Sequence, residues 1–149
     1  AASKAGIPID IDKILKAYEA LTNRHDFVVV EGVGGLMVPI DDTLFVADLA
    51  CKMDLPLVIV SRDYLGTINH TLLTIEYARN RNLRIKGIVI NMLKNEDGLV
   101  REIEKYSSAP VLGTIPFKED VSVENCVYGD IVEDFRREID ISKIMRKET

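Results

Sequence analysis

The chain has 149 residues, of which 47% are hydrophobic and 29% are charged, and its formal net charge is −5. This composition is typical of a globular protein. The acidic balance argues against binding to nucleic acid or to an anionic membrane, because both favour clustered Lys and Arg. No apolar run approaches the roughly 20 residues that cross a bilayer as a helix. Cys51 and Cys126 are isolated, so we expect reduced thiols in a cytoplasmic protein rather than a disulfide framework or a zinc site.

Apolar periodicity predicts helices and strands that alternate along the chain. Asp10 can cap a helix that ends near His25. The apolar run 27–30 is long enough for a buried parallel strand. The later predicted elements are a short helix over 43–53, strands over 56–60, 85–90 and 111–115, helices over 67–81 and 96–106, and a helical tail over 130–145 that can break near Asp140. This order predicts one α/β domain over residues 1–149, with an open, mainly parallel sheet flanked by helices.

The most informative segment is the predicted strand 27–30 together with the glycine loop that follows it. Glu31 stands where that strand would leave the sheet, and ligands of open α/β sheets bind at the carboxyl ends of strands. The glycines at 32, 34 and 35 allow the backbone to approach a ligand closely. A carboxylate beside bare amides is suited to Mg²⁺ bound with phosphates. A tight turn with a solvated Glu31 fits the segment equally well.

Asn91 follows a second unbroken apolar strand. Its amide offers both a donor and an acceptor, which suits the edge of a purine base. A buried asparagine that ties two loops together is the commoner arrangement, and it stays open here. Phe117, at the end of the next strand, has two readings as well: cover for a base, or part of the core.

The segment 65–69 places small and polar residues at the start of a predicted helix. Exposed N–H groups and the positive end of the helix dipole favour an anion there, such as a substrate carboxylate. The alternative is ordinary helix capping with Thr67 as the cap.

Two common phosphate-binding motifs are absent from the sequence. It contains no GxxxxGK[ST] motif, and no Lys is followed by Ser or Thr, so these 149 residues lack the usual cradle for β- and γ-phosphates. The glycine loop is not a dinucleotide-binding fingerprint either, because Pro39 and two aspartates follow it instead of a helix. A dinucleotide-dependent oxidoreductase is therefore disfavoured.

Five motifs in a fixed order resemble the dethiobiotin synthetase family. They are VEGVGG at 30–35 with Pro39, LPLVIV at 55–60, LGTINHTLLT at 65–74, KGIVIN at 86–91 and PVLGTIP at 110–116. The third is the most specific of them, whereas the glycine loop is shared more loosely with related ATP-dependent amidoligases. The similarity covers nearly all of the chain and weakens towards its C-terminal end.

The resemblance implies a P-loop NTPase-like fold whose first strand and P-loop are missing from this chain. It also implies a homodimeric enzyme that uses ATP, Mg²⁺ and CO₂ or bicarbonate to close the ureido ring of dethiobiotin on 7,8-diaminononanoate. We expect the chain to be the C-terminal portion of a longer single-domain enzyme and to be inactive alone. A domain that pairs with a separate chain and a truncated relative are the alternatives. A non-catalytic binding module of this fold and a related amidoligase are the alternative functions.

The resemblance further implies roles for individual residues, although it assigns no catalytic residue within this chain. The metal ligand is Glu31. The nucleotide-binding residues are Glu31, Gly32, Val33, Gly34, Asn91, Pro116, Phe117 and Lys118. The residues that bind the carboxylate tail of the substrate are Gly35, Leu65, Gly66 and Asn69. Met92 follows Asn91 where some family members carry an acidic residue.

Overall fold

The computed structural model describes residues 6–94, 98–122 and 124–146. The chain divides into two compact units, Ala1–Leu55 and Pro56–Thr149. Across the ranges described, no helix has the length and apolar character needed to cross a membrane. The expectation of one domain over the whole chain stays a prediction.

In the first unit, the described residues 6–55 contain two helices joined by a long loop. Helix α1 (Ile11–Thr22) begins at Asp10, whose carboxylate accepts a hydrogen bond of 3.0 Å from the N–H of Lys13. This confirms the predicted cap, since such a side chain satisfies an N–H group that the first turn leaves unpaired. Helix α2 (Val46–Lys52) is the predicted short helix, shorter than expected by a few residues at its start.

The predicted buried strand at 27–30 is wrong. These residues form no strand, and Val29 is 80% exposed. A strand is stable only when a neighbour pairs with its backbone and its side chains are covered. The three strands that the structure describes pair only with one another, so none of them is a partner for this segment. Glu31 therefore follows an irregular stretch rather than the end of a sheet strand.

The second unit is built on a three-stranded parallel sheet. Its strands are β1 (Leu57–Arg62), β2 (Ile85–Leu93) and β3 (Val111–Pro116), in the order β1-β2-β3. These are the predicted strands at 56–60, 85–90 and 111–115, with β2 three residues longer than expected. The predicted α/β class with a parallel sheet is confirmed.

Helices cover both faces of this sheet. On one face α3 (Thr67–Asn80) and α4 (Leu99–Ser107) enclose a core cluster. That cluster consists of Ile59, Ile75, Ile88, Ile90, Leu93, Ile103 and Ala109. On the other face α5 (Ile131–Glu138) and α6 (Ile141–Met145) enclose a second cluster of Val89, Leu112, Ile115 and Ile139. The predicted break in the helical tail is confirmed at Asp140, which caps α6 by accepting a hydrogen bond from the N–H of Lys143.

Candidate functional site

The glycine loop at residues 31–35 lies close to the start of α2. A Cβ added to Gly32 would stand 2.9 Å from Cγ1 of Val46, so a larger residue at this position would push the loop away from the helix. Gly34 has a φ of 83°, a conformation that L-residues rarely adopt. Val33 between them is exposed. Glycine is thus required at two positions for different reasons, crowding at Gly32 and backbone conformation at Gly34.

Backbone hydrogen bonds attach the rest of this loop to α2. The N–H of Ala47 donates to the carbonyl of Leu36 at 3.0 Å, which uses an amide in the first turn of the helix. Further along, the Asp41 carboxylate accepts hydrogen bonds from the backbone of Thr43 and of Leu44 at 2.7 and 2.8 Å. These two hydrogen bonds hold the pKa of the Asp41 carboxyl below its usual value, and the bond from the Thr43 backbone has the larger effect. The loop is therefore held at several points.

Glu31 is an exposed carboxylate at the head of the loop. Within the described part of the chain, no three His, Cys, Asp or Glu side chains are grouped so that they could hold a metal ion. Mg²⁺ keeps several waters and is usually bound by one or two carboxylates together with substrate phosphates. The Glu31 carboxylate therefore fits as one ligand of a nucleotide-bound Mg²⁺ and not as a complete metal site.

In the second unit, hydrogen bonds join the carboxyl ends of all three strands. The N–H of Asp63 after β1 donates to the carbonyl of Asn91 at 3.1 Å, and the N–H of Phe117 after β3 donates to the carbonyl of Leu93 at 2.9 Å. The Asp63 carboxylate accepts a hydrogen bond of 2.9 Å from the N–H of Lys94. The carboxyl ends of these three strands therefore lie along one edge of the sheet, and their residues form one connected network.

Asn91 lies at a β-bulge near the end of β2. Ile90 pairs with Thr114 and Leu93 with Pro116, so β2 has one more residue than β3 over this interval. The extra residue allows Met92 to adopt a φ of 56°, and Oδ1 of Asn91 accepts a hydrogen bond of 2.9 Å from the Met92 N–H. Bulges near sites redirect side chains. The bulge fixes the carboxamide of Asn91 at the sheet edge, half-buried, where its role with a base stays a prediction.

Lys94 lines a small cavity and also contacts the ring of Phe117. The ammonium of Lys94 lies 4.9 Å from the centroid of the Phe117 ring, within the range of a cation–π contact. A cavity of about 240 Å³ lies next to them, and Lys94, Pro116, Thr114 and Leu93 line it together with Glu138. Pro116 was predicted from the sequence to face a nucleotide, whereas Lys94 was not. Only the fold brings the Lys94 side chain to Phe117.

Lys118 is engaged within the protein. Its ammonium forms ion pairs with Asp130 and with Asp134, the second at 2.6 Å. The hydrogen bonds with Asp130 and Asp134 raise the pKa of the Lys118 ammonium. The neighbouring Lys118 in turn holds the pKa of the Asp134 carboxyl below its usual value. Lys118 therefore connects the loop after β3 with helix α5.

An open groove of about 720 Å³ lies at the start of α3. Three residues predicted to bind a substrate carboxylate, Leu65, Gly66 and Asn69, all line it, and Leu65 is 98% exposed. The remaining lining residues are Asp63, Tyr64, Thr67, Ile68, Leu72 and Leu99. The residues singled out at the helix start thus line one groove, and their contact with a substrate carboxylate stays a prediction.

Thr67 is not the cap of this helix. The cap position is Gly66, which has a φ of 92° and no side chain to accept a hydrogen bond, and Thr67 is buried in the first turn. The N–H of Thr67 donates to the carbonyl of Tyr64, and that of His70 donates to the carbonyl of Gly66. The first-turn amides between them have no acceptor within a helix. Because no side chain caps the helix, these amides face the groove without a side-chain acceptor.

Tyr64, which lines the same groove, belongs to a pair of side chains that the sequence did not reveal. The hydroxyl of Tyr64 is hydrogen-bonded to Nδ1 of His70, and their ring centroids are 5.7 Å apart. The separation of six residues gives no periodic signal, because Tyr64 precedes the helix and His70 lies within it. The pair fixes the direction in which Tyr64 leaves the loop.

Comparison with known proteins gives a consistent result. A family model described as an AAA domain matches residues 1–125. The ATP-dependent dethiobiotin synthetase of Bacillus velezensis is 38% identical over 150 aligned positions, which cover 97% of this chain and 62% of that protein. That of Anoxybacillus flavithermus is 42% identical over 134 positions, covering 86% of this chain and 60% of that protein. The resemblance inferred from the motifs is confirmed, and the chain spans about three-fifths of the length of these relatives.

Two solved structures share the fold. A chain of the MinC:MinD cell division protein complex of Aquifex aeolicus matches with a TM-score of 0.59 and 20% identity, over 87% of this chain and 50% of that one. A ParA family ATPase from Chlorobium tepidum matches with a TM-score of 0.58 and 18% identity, over 94% of this chain and 53% of that one. At this identity the likeness establishes the α/β fold alone.

Proposed function

Since this chain belongs to the AAA domain family, we propose that it forms part of an ATP-dependent dethiobiotin synthetase. The observation that carries the proposal is its identity of 38% with a protein of that name over 97% of the chain. Because the chain spans 62% of that relative, the activity is proposed for the whole protein that contains it.

The proposed reaction closes a ureido ring. One amine of 7,8-diaminononanoate attacks CO₂ and loses a proton, which gives a carbamate. A carbamate oxygen then attacks the γ-phosphorus of ATP, and ADP leaves. The second amine attacks the carbonyl carbon and expels phosphate, which completes dethiobiotin. Phosphoryl transfer of this kind depends on positioning and on neutralising charge.

The glycine loop is proposed to serve the phosphates. Glu31 would hold the Mg²⁺ that accompanies ATP, and that ion would neutralise phosphate charge. The exposed backbone of Gly32, Val33 and Gly34 would line the cleft beside it, and Gly35 would contact the substrate. Supporting this assignment, crowding against Val46 at Gly32 keeps a side chain out of the loop.

The sheet edge of the second unit is proposed to hold the base. Asn91 would use its carboxamide on the base edge, and Pro116 and Phe117 would cover the base face. The support is geometric: the bulge at Asn91 and the hydrogen bond between Phe117 and Leu93 hold both groups on the same edge. A half-buried carboxamide with a fixed direction suits base recognition.

The groove at α3 is proposed to hold the carboxylate tail of the substrate. Leu65, Gly66 and Asn69 line it, and the positive end of the helix dipole favours an anion there. We also propose that the enzyme is a homodimer in the cytoplasm. Leu65 at the groove and Leu73 on α3 are both exposed, and exposed apolar side chains of this kind suit contact with a second subunit.

The experiment is an ATP hydrolysis assay on the gene product that contains these residues. The proposal predicts that MgATP hydrolysis requires both diaminononanoate and bicarbonate. Hydrolysis stimulated instead by glutamine or ammonia with another acceptor would identify an amidoligase. A protein that binds MgATP but hydrolyses it under none of these conditions would be a non-catalytic module.

A further inference from the structure

The side chain of Asp134 is a buried carboxylate with two cationic partners. It is 4% exposed, and Oδ2 lies 2.6 Å from Nζ of Lys118. Oδ1 accepts a hydrogen bond of 2.6 Å from a guanidinium nitrogen of Arg137, whose side chain is 64% exposed. Burial of a charge is tolerated when charged partners compensate for the lost water. Asp134 therefore faces Lys118 on the protein side and Arg137 on the solvent side.

Lys118 links Asp134 to the loop after β3, because Lys118 itself lies in that loop. Its ammonium donates a hydrogen bond to Asp130 and forms an ion pair with Asp134. The preceding residue is attached to β2, because the N–H of Phe117 donates to the carbonyl of Leu93. The segment 116–118 is thus held to β2 through Phe117 and to α5 through Lys118.

We propose that Asp134 is a positioning residue for the nucleotide: through Lys118 it holds the segment 116–118, and with it Phe117, where the base makes contact. The inference rests on the proposed function, which assigns Pro116 and Phe117 to the base of the nucleotide. Asp134 does not touch the ligand itself. A loop held in place before binding loses less conformational entropy on binding, so the contact increases affinity for the nucleotide.

Asp134→Asn removes the charge and retains the shape of the side chain. Because the base is remote from the reacting phosphate, we expect uniform loss of binding: KM for MgATP rises about tenfold, while kcat and KM for the diamine stay within about twofold. Asp134→Glu restores the charge and should recover part of the loss. Glu133→Gln changes an exposed carboxylate on the same helix and should leave KM for MgATP unchanged.

The route through Lys118 is tested by a double-mutant cycle in the same gene product. Lys118→Met keeps the length of the side chain and removes the ammonium. The proposal predicts that Lys118→Met raises KM for MgATP by a similar factor and that the double variant is no worse than either single one. Additive effects would overturn the route, and an unchanged KM in both single variants would overturn the proposal. If Asp134→Asn does not fold, the KM of Lys118→Met for MgATP tests the proposal: a raised value supports it and an unchanged value overturns it.

Calorimetric titration with MgATP separates this inference from the proposed function. A wild type that binds MgATP but forms no dethiobiotin contradicts the proposed reaction, and the Kd values of wild type and Asp134→Asn then decide the inference. An about tenfold weaker Kd supports it, and equal values overturn it. A wild type that does not bind MgATP overturns both.

Discussion

The backbone of Gly113 in β3 packs directly against the carbonyl oxygen of Glu138 at the end of α5. A Cβ added to Gly113 would overlap that oxygen and would also stand 2.7 Å from Cδ1 of Ile139. Nearby, the N–H of Asp140 donates to the carbonyl of Leu112 at 3.0 Å. The junction between α5 and α6 therefore sits on the strand at a place where only glycine fits.

Gly113→Ala is expected to lower the free energy of unfolding by about 3 kcal/mol, because backbone atoms on both sides must move apart. Urea denaturation of the protein followed by circular dichroism measures the change. Gly35→Ala is the matched control for stability, since nothing lies within 4 Å of its added Cβ, and it should cost less than about 0.5 kcal/mol. Equal midpoints for the two variants would contradict the packing described here.

Gly32→Ala is expected to reduce kcat/KM for MgATP about tenfold, because the new methyl group displaces the loop from α2 by steric contact with Val46. Steady-state assays measure the change. Val46→Ala removes the atom that the methyl group would meet, so the double variant should regain most of the activity. Failure of Val46→Ala to rescue Gly32→Ala would show that the crowding is not the cause.

Asn69→Ala should raise KM for the diamine by ten- to a hundredfold, roughly 1.5–3 kcal/mol for one charge-assisted hydrogen bond, and KM for ATP much less. Asn69 lines the groove at the positive end of α3. Glu76→Gln, an exposed change further along the same helix, serves as the control. Equal effects on both KM values would indicate that Asn69 has a structural role.

The ion pair of Asp134 and Lys118 predicts a pH-dependent stability. The Lys118 ammonium lowers the pKa of Asp134. This contribution is present above the unfolded pKa of about 3.9 and is lost as pH falls through the folded value. The pKa of Lys118 is raised by its hydrogen bonds with Asp130 and Asp134, so its contribution is full below about pH 10.4 and is lost as pH rises through the folded value.

The stability difference between wild type and Asp134→Asn should therefore be largest near neutral pH and decrease towards both extremes. Urea midpoints of the two proteins at about pH 3, 7 and 11 measure it, since these values bracket both unfolded pKa values. The other carboxyls titrate in both proteins, so their effects on stability cancel when the two proteins are compared. A difference as large at about pH 3 as at pH 7 would contradict the ion pair.

The fold was predictable where two elements that pack together both have a clear apolar pattern in the sequence. Helix α3 was expected at 67–81 and spans Thr67–Asn80, because its apolar stripe packs on strands that are present in the chain. The strand predicted at 27–30 did not form, because no strand in the described part of the chain pairs with it. Apolar character shows that a segment can be covered, whereas a strand also needs a partner for its backbone.

In the candidate site, too, the sequence could predict only those residues that have a local sequence signal. Asn91 and the start of α3 could be proposed as site residues because strand ends and helix starts have sequence signals. The Asp134 contact was missed because it depends on how α5 packs beside the loop after β3, and the spacing of sixteen residues from Lys118 has no local signature. The predicted site residues therefore lie at the ends of helices and strands, whereas the residues that hold them in place are identified only by tertiary packing.

Dethiobiotin formation by the wild type and by Glu31→Gln tests the central claim most directly. The gene product is supplied with diaminononanoate, bicarbonate and MgATP, and the product is quantified by mass spectrometry. The account predicts product that depends on all three substrates, and a rate lowered on the order of 100-fold in Glu31→Gln, with partial recovery at high Mg²⁺. No product from the wild type, or an undiminished rate in Glu31→Gln, would contradict it.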